Sequence, residues 1–200
     1  MIQQNAEKLN VLILELLEFR RLETGNKAPS IQRLPVSDKL QNIAESFGEL
    51  AENKKLNYRL NIETGIEWNT DISCFNKIAN NLISNAFKYT PEKGNITIGL
   101  KIENQQLILR VSNSGKGIAK ENLNKVFDRY KILDSVELNG KNSRNGLGLA
   151  ICKSMVTLLN GEITIESIPN EITTFTVTLP ELSPTEQEKP QEVYQTGQLL

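Results

Sequence analysis

Positions 80–90 read NNLISNAFKYT, an apolar run interrupted by Asn81, Asn85 and Lys88 at spacings of four and three. On a helix these three fall in one sector of about 60°, opposite Ile72, Phe75, Ala79, Leu82, Ile83 and Ala86. A solvated helix face would explain them, yet asparagine is a mediocre helix former, and an exposed stripe more naturally uses glutamate, glutamine or lysine. The other reading is chemical. An amide oxygen is a neutral hard ligand suited to Mg²⁺, and a neighbouring ammonium suits a phosphate.

Two further stretches have the same double character. In VSNSGKGI, residues 111–118, a strand pattern runs into Asn113 and the turn Gly115-Lys116-Gly117, where backbone could closely approach a flat ligand. In NGLGLAICKSMV, residues 145–156, Gly146 and Gly148 precede an apolar helical run, and a glycine-led helix start offers free N–H groups and a positive dipole end to an anion. Singly, each is also an ordinary turn or helix entry. Together and in this order, an Asn/Lys helix face, an Asn-x-Gly-x-Gly turn, a polar segment and a glycine-led helix form the parts of a Mg²⁺-nucleotide site under a lid.

Composition narrows the chemistry. The 200 residues are 38% hydrophobic, enough for a folded domain with attached segments, and carry a net charge of −1 with no basic field, so nucleic-acid binding is not indicated. There is no histidine, which removes imidazole as base, nucleophile or ligand within this polypeptide. Cys74 and Cys152 lack metal-ligand spacing and suggest no disulfide framework, so a reducing cytosol fits. No apolar run approaches the roughly 20 residues that span a bilayer, and the N-terminus lacks a secretion signal.

The elements that must position these residues follow from periodicity. Residues 1–25 read as one long helix with Ile2, Leu9, Leu12, Leu16 and Phe19 on a narrow seam closed by Gly25, suiting either a helical hairpin or dimer seam or a plain docked helix. Ile31–Val36 reads as a short strand, and Ser37 as the N-cap of a helix through Leu40, Ile43, Ala44, Phe47 and Leu50. Strand patterns follow at Leu56–Ile62 and Ile66–Trp68, then Asp71 caps the helix bearing Asn81 and Asn85. Ile96–Ile102 with Leu107–Val111, and Glu162–Ser167 with Thr173–Leu179, read as two hairpins. Between them lies a long polar stretch with one short helical candidate at Glu121–Phe127. Residues 181–200, with Pro184 and Pro190 and a net charge of −3, have linker composition. The domain at 28–180 is therefore expected to be an α/β two-layer sandwich, with a mixed sheet and helices on one face, preceded by one long helix.

These motifs resemble the catalytic ATP-binding domain of sensor histidine kinases, in the Bergerat-fold superfamily shared with gyrase, Hsp90 and MutL. NNLISNAFKYT resembles the N box, NSGKGI the first glycine box, VFDRY at 126–130 the F box and NGLGLAI the second glycine box. FDRYKILD and RNGLGLAICKSMVTLLNGEI resemble hybrid two-component sensors of the Bacteroides type. Residues 1–25, ending FRRLETG, resemble the second helix of a dimerisation and histidine-phosphotransfer hairpin.

The resemblance implies ATP and Mg²⁺ as ligands. Asn85 would ligate the metal, with Asn81 and Lys88 near the phosphates and Tyr89 against the nucleoside. Asn113 would face the adenine amino group, and Gly115, Gly117 and Ile118 would shape that wall. Gly146, Leu147, Gly148 and Leu149 would close the phosphate side, with Arg144 as a further phosphate candidate and Thr173 at the adenine end. Three departures stand out. Asn113 replaces the usual aspartate, and an uncharged amide accepts more weakly; Ile172 stands where glycine is common; and the phosphoacceptor histidine of the family lies on the hairpin helix before this chain starts. Asn81 occupies the place where ATP-hydrolysing members have glutamate, and an amide is no base.

The implied function is transfer of the γ-phosphoryl of Mg-ATP to a histidine of the same receptor, with a response-regulator receiver domain as further partner. The implied location is the cytoplasmic side of a membrane-anchored, dimeric receptor. The alternatives are a non-enzymatic nucleotide sensor and an anti-sigma-factor-like serine kinase, which has no reason to carry FRRLETG as a preceding seam helix.

Overall fold

The computed structural model describes residues 28–128 and 147–184, together with Ile13, Leu17 and Arg20. Those three isolated positions are helical and exposed. The predicted seam residues Leu9, Leu12, Leu16 and Phe19, and Gly25, lie outside the described residues.

Among the described residues from 28 on, seven strands and four α-helices follow in order: β1 (Gln32–Pro35), α1 (Val36–Glu45), α2 (Gly48–Asn53), β2 (Asn57–Ile62), β3 (Glu67–Thr70), α3 (Ile72–Tyr89), β4 (Asn95–Glu103), β5 (Gln106–Ser114), α4 (Gly148–Leu158), β6 (Glu162–Ile168) and β7 (Ile172–Pro180). A short 3-10 turn at Lys120–Lys125 replaces the helix expected near Glu121. The main sheet has the order β2-β4-β5-β7-β6, with β2 parallel to β4 and the other pairs antiparallel. The sheet is thus mixed, as expected. A separate antiparallel ribbon pairs β1 with β3.

Alternation decides which face is covered. Ile96, Ile98 and Leu100 of β4, Leu107, Leu109 and Val111 of β5, and Phe175, Val177 and Leu179 of β7 are buried. They pack in one core with Phe75, Ile78, Leu82 and Ile83 of α3 and Ile151 and Met155 of α4. Each fully buried aliphatic side chain contributes about 1.5–3 kcal/mol, so this layer interface dominates the stability. The intervening residues, among them Thr97, Arg110, Ser112 and Thr174, face away from the helices.

Two boundaries differ from expectation. The helix predicted from Ser37 starts at Val36 and breaks at Ser46–Phe47, giving α1 and α2. Ser37 is no cap: its hydroxyl donates to the Glu63 carbonyl at 2.5 Å and accepts from the Ile66 N–H at 3.0 Å, tying α1 to the β2–β3 loop. Asp71 does cap α3, its Oδ1 accepting from the N–H groups of Ser73 and Cys74. At the tip of the β6–β7 hairpin the left-handed φ falls on Asn170, at 61°, so Ile172 begins β7 without needing the glycine common there.

Candidate functional site

The Asn/Lys stripe of α3 is not the fully exposed face of the helix. Phe75, Ala79, Leu82, Ile83 and Ala86 are buried as the periodicity requires, and Ile72 is half-buried; the outermost positions are Ser73, Asn80, Ser84 and Tyr89. Asn81, Asn85 and Lys88 are half-buried between these sides. Asn81 Nδ2 donates to the Gly148 carbonyl at 3.2 Å, which ties the stripe to the first residue of α4. Among the described residues no hydrogen bond engages the Asn85 amide, which leaves its oxygen available as a ligand. The Lys88 ammonium sits 5.3 Å from the centroid of the neighbouring Tyr89 ring, within cation–π range.

The start of α4 is electropositive by construction. Leu147 occupies the N-cap position, no described side chain caps the helix, and the first turn has no acidic residue. The first closed bond is Ile151 N–H to Leu147 O at 2.9 Å, so the N–H groups before it have no intrahelical acceptor. Leu147 is buried, while Gly148 and Leu149 are half-buried. Gly146 and Arg144 lie outside the described residues.

The glycine turn after β5 is held from two sides. A Cβ on Gly115 would lie 2.6 Å from the Tyr89 carbonyl oxygen, so the turn packs against the end of α3. Gly117 has φ +67°, and a Cβ there would lie 2.8 Å from the Ile168 carbonyl at the β6–β7 hairpin. The Asn170 N–H donates to the Lys116 carbonyl at 2.9 Å, and the Ile118 N–H to Ser167 Oγ at 2.9 Å. Tyr89, Gly115, Gly117 and Ile118 are therefore brought together.

At this end of the sheet the helix-facing rows change from apolar to polar in register. Asn113 pairs with Thr173, and Thr173 with Ser167, across β5, β7 and β6. Asn113 and Thr173 are buried, at 7% and 6% exposure, where their strands otherwise place Val111 and Phe175. Asn113 Nδ2 donates to the Ser114 carbonyl at 3.1 Å, which leaves Oδ1 as the free end of the amide. Ser167 Oγ lies 2.8 Å from Thr173 Oγ1.

Two contributors were not singled out from sequence. Ser167 breaks the apolar alternation of Ile163 and Ile165, a signal that was present. Lys54 donates through Nζ to the carbonyls of Phe87 and Thr90 at 2.7 and 2.9 Å, a cation at the C-terminus of α3 that holds the turn bearing Lys88 and Tyr89. Nothing in its local sequence marks it. Phe127, the phenylalanine of the VFDRY motif, packs edge-on to Phe175 with ring centroids 6.3 Å apart, and Lys153 Nζ lies 5.5 Å from its ring centroid. Both cysteines are buried and outside any disulfide, and burial pushes the Cys152 thiol up to about 12, away from the reactive thiolate.

Residues 70–183 match the model of the "Histidine kinase-, DNA gyrase B-, and HSP90-like ATPase" family. The sensor protein SrrB of Staphylococcus aureus (strain NCTC 8325 / PS 47) is 30% identical over 179 residues, covering 90% of this chain and 30% of SrrB. Among solved structures, full-length ShkA in complex with AMPPNP superposes with a TM-score of 0.78 at 20% identity, over 92% of this chain and 38% of ShkA. The Acinetobacter baumannii histidine kinase AdeS gives 0.74 at 20% identity, over 90% of this chain and 82% of AdeS. The catalytic domain of histidine kinase ThkA gives 0.66 at 21% identity, over 76% of this chain and 95% of that domain. The chain thus spans about a third of SrrB, and with more than half of its length inside the family match it belongs to the histidine kinase-, DNA gyrase B- and HSP90-like ATPase family, as an ATP-binding catalytic domain.

Proposed function

We propose that this chain binds Mg-ATP at the polar end of its sheet and transfers the γ-phosphoryl to a histidine on another segment of a sensor kinase. One observation carries the reading. The Asn81–Gly148 bond joins the Asn/Lys stripe to the uncapped start of α4, while Gly115 seats the glycine turn against Tyr89 at the end of the same stripe. Phosphate-binding and base-binding features thus converge on one helix.

In this reading the base lies against Asn113 and Thr173, with Gly115, Gly117 and Ile118 forming the wall and Tyr89 flanking the nucleoside. The N–H groups of Gly148 and Leu149 and the Lys88 ammonium take phosphate oxygens; the resemblance adds Gly146 and Arg144 as phosphate candidates, and both lie outside the described residues. A magnesium ion fits as a weak, substrate-dependent ligand. Among the described residues no group of three or more acidic, histidine or cysteine side chains could hold a metal, whereas Asn85 offers one uncommitted amide oxygen. Mg²⁺ is commonly held by one or two protein oxygens together with phosphates and waters, and it would neutralise charge developing on the transferred group.

Phosphoryl transfer asks chiefly for positioning and charge neutralisation. The bond between the γ-phosphorus and its bridging oxygen breaks as an imidazole nitrogen bonds to phosphorus, and ADP leaves with the bridging electrons. This chain has no histidine, so the nucleophile comes from elsewhere. Asn81 cannot serve as a base toward water, which favours transfer over hydrolysis.

By the same resemblance, residues 1–25 are assigned to the second helix of a dimerisation and phosphotransfer hairpin, 28–180 to the catalytic domain and 181–200 to a linker. The whole receptor would be a membrane-anchored dimer of the Bacteroides hybrid type, with this domain on the cytoplasmic side and a receiver domain as phosphoryl acceptor. No helix of the described residues is long and apolar enough to cross a membrane. The test is to supply the histidine hairpin of the same receptor with radiolabelled ATP. Labelled, acid-labile phosphohistidine is expected; nucleotide binding without transfer would overturn the kinase half. Asn113 favours one second reading, a nucleotide sensor without turnover, and that outcome would establish it.

A further inference from the structure

We propose that Ser167 is a positioning residue for the base end of the pocket, setting the direction in which Thr173 presents its hydroxyl and tying that group to the glycine turn at Ile118. The inference rests on the nucleotide reading given above.

A serine hydroxyl has one hydrogen and two lone pairs. Ser167 Oγ accepts from the Ile118 N–H at 2.9 Å, which uses one lone pair. Its hydrogen has two possible acceptors, Thr173 Oγ1 at 2.8 Å and the Ile172 carbonyl at 3.2 Å. The choice fixes its neighbour. If Ser167 donates to Thr173, the Thr173 hydrogen is free to point toward a ligand. If Ser167 donates to Ile172, Thr173 donates back to Ser167 and offers a ligand only lone pairs.

Beside this adaptable hydroxyl stands a fixed acceptor. Asn113 is directly opposite Thr173 across the β5–β7 ladder, and its Nδ2 is engaged by the Ser114 carbonyl, so Oδ1 is the end left to a ligand. An acceptor next to a donor complements the adenine edge, where an amino group adjoins an unprotonated ring nitrogen. The edge of guanine places a carbonyl and a ring N–H in the same order, and its carbonyl would oppose Asn113 Oδ1. Ser167 therefore acts through Thr173 on the reading of the ring nitrogen, while Asn113 reads the amino group. Because the same oxygen accepts from Ile118, the polarity of the base end and the seat of the glycine turn share one atom.

The experiment is competition titration of the full chain with ATP and with 1-deaza-ATP, which has C–H in place of that ring nitrogen, with melting curves alongside. The wild type is expected to prefer ATP by about tenfold, the scale of one hydrogen bond whose loss strands a partner. Ser167→Ala should weaken ATP by about 5- to 30-fold and reduce the preference to about twofold. Ser167→Thr, which keeps the hydroxyl, should restore the preference. In a Thr173→Val background, Ser167→Ala should leave the preference unchanged, as two residues acting in series require. An unchanged preference in Ser167→Ala, or collapse in Ser167→Thr, would overturn the proposal. Should Ser167→Ala not fold, a full preference in Thr173→Val would overturn it equally. Absence of binding to either nucleotide by the wild type would refute the nucleotide reading itself, whereas normal binding with no Ser167 effect refutes only this inference.

Discussion

Asn81 donates its side-chain amide to the carbonyl of Gly148 across 3.2 Å, joining the middle of α3 to the first residue of α4. Only a donor can make this bond. Asn81→Asp should therefore be as damaging as Asn81→Ala, despite being closer in shape. Either change is expected to cost about 1 kcal/mol of stability and, on the proposed function, to lower transfer to a supplied histidine hairpin by at least about tenfold, because the α3 stripe and the start of α4 lose their tie. Melting curves and single-turnover transfer rates check both; near-normal transfer in Asn81→Asp would contradict the role.

Gly115 is fixed by space. Its added Cβ would stand 2.6 Å from the Tyr89 carbonyl, and backbone cannot yield as a flexible side chain can. Gly115→Ala should destabilise the fold by about 1–3 kcal/mol and abolish measurable nucleotide binding. Calorimetry on the folded fraction separates the two effects.

Asp71 gives the fold a predictable acid limit. Burial raises its pKa, but hydrogen bonds from Ser73 Oγ and from the N–H groups of Cys74, Ser30 and Ser73 outweigh that and hold it below the ordinary carboxylate value. A depressed folded value means the contribution is fully present above the unfolded pKa of about 3.9 and lost as pH falls through the folded one. Melting temperature should be insensitive to this group between pH 5 and 7, by the same argument, and fall below about pH 4. Asp71→Ala should cost about 1–2 kcal/mol at pH 7 and flatten that acid limb.

Much of this was legible in the sequence, and the exceptions have a common cause. The apolar face of α3, its Asp71 cap and both hairpins follow from periodicity and local capping chemistry, which depend on residues within a turn or two. Ser37 has the local sequence of a cap, but its partners, the Glu63 carbonyl and the Ile66 N–H, lie across the fold. The β1–β3 ribbon and the Lys54 grip on α3 likewise depend on distant partners. Asn113, Thr173 and Ser167 were each visible as polar interruptions of apolar alternation. That they form one row is a property of the strand register, which local pattern does not contain.

Asn113→Asp tests the proposed adenine end. A carboxylate accepts more strongly than an amide, so ATP affinity should rise by about 3- to 10-fold at pH 7, the scale of that difference after desolvation. The same change should leave GTP no tighter. A titration in which both nucleotides improve equally would show that residue 113 does not read the amino group.

The central claim, that the α3 stripe faces a metal-bound triphosphate, is tested most directly at Asn85. Calorimetric titration of a non-hydrolysable ATP analogue, with and without Mg²⁺, should show metal-enhanced binding for the wild type. Asn85→Ala should lose that enhancement and bind at least about tenfold more weakly in Mg²⁺, with its melting temperature little changed because no described hydrogen bond is lost. Undiminished, Mg²⁺-dependent binding by Asn85→Ala would contradict the assignment.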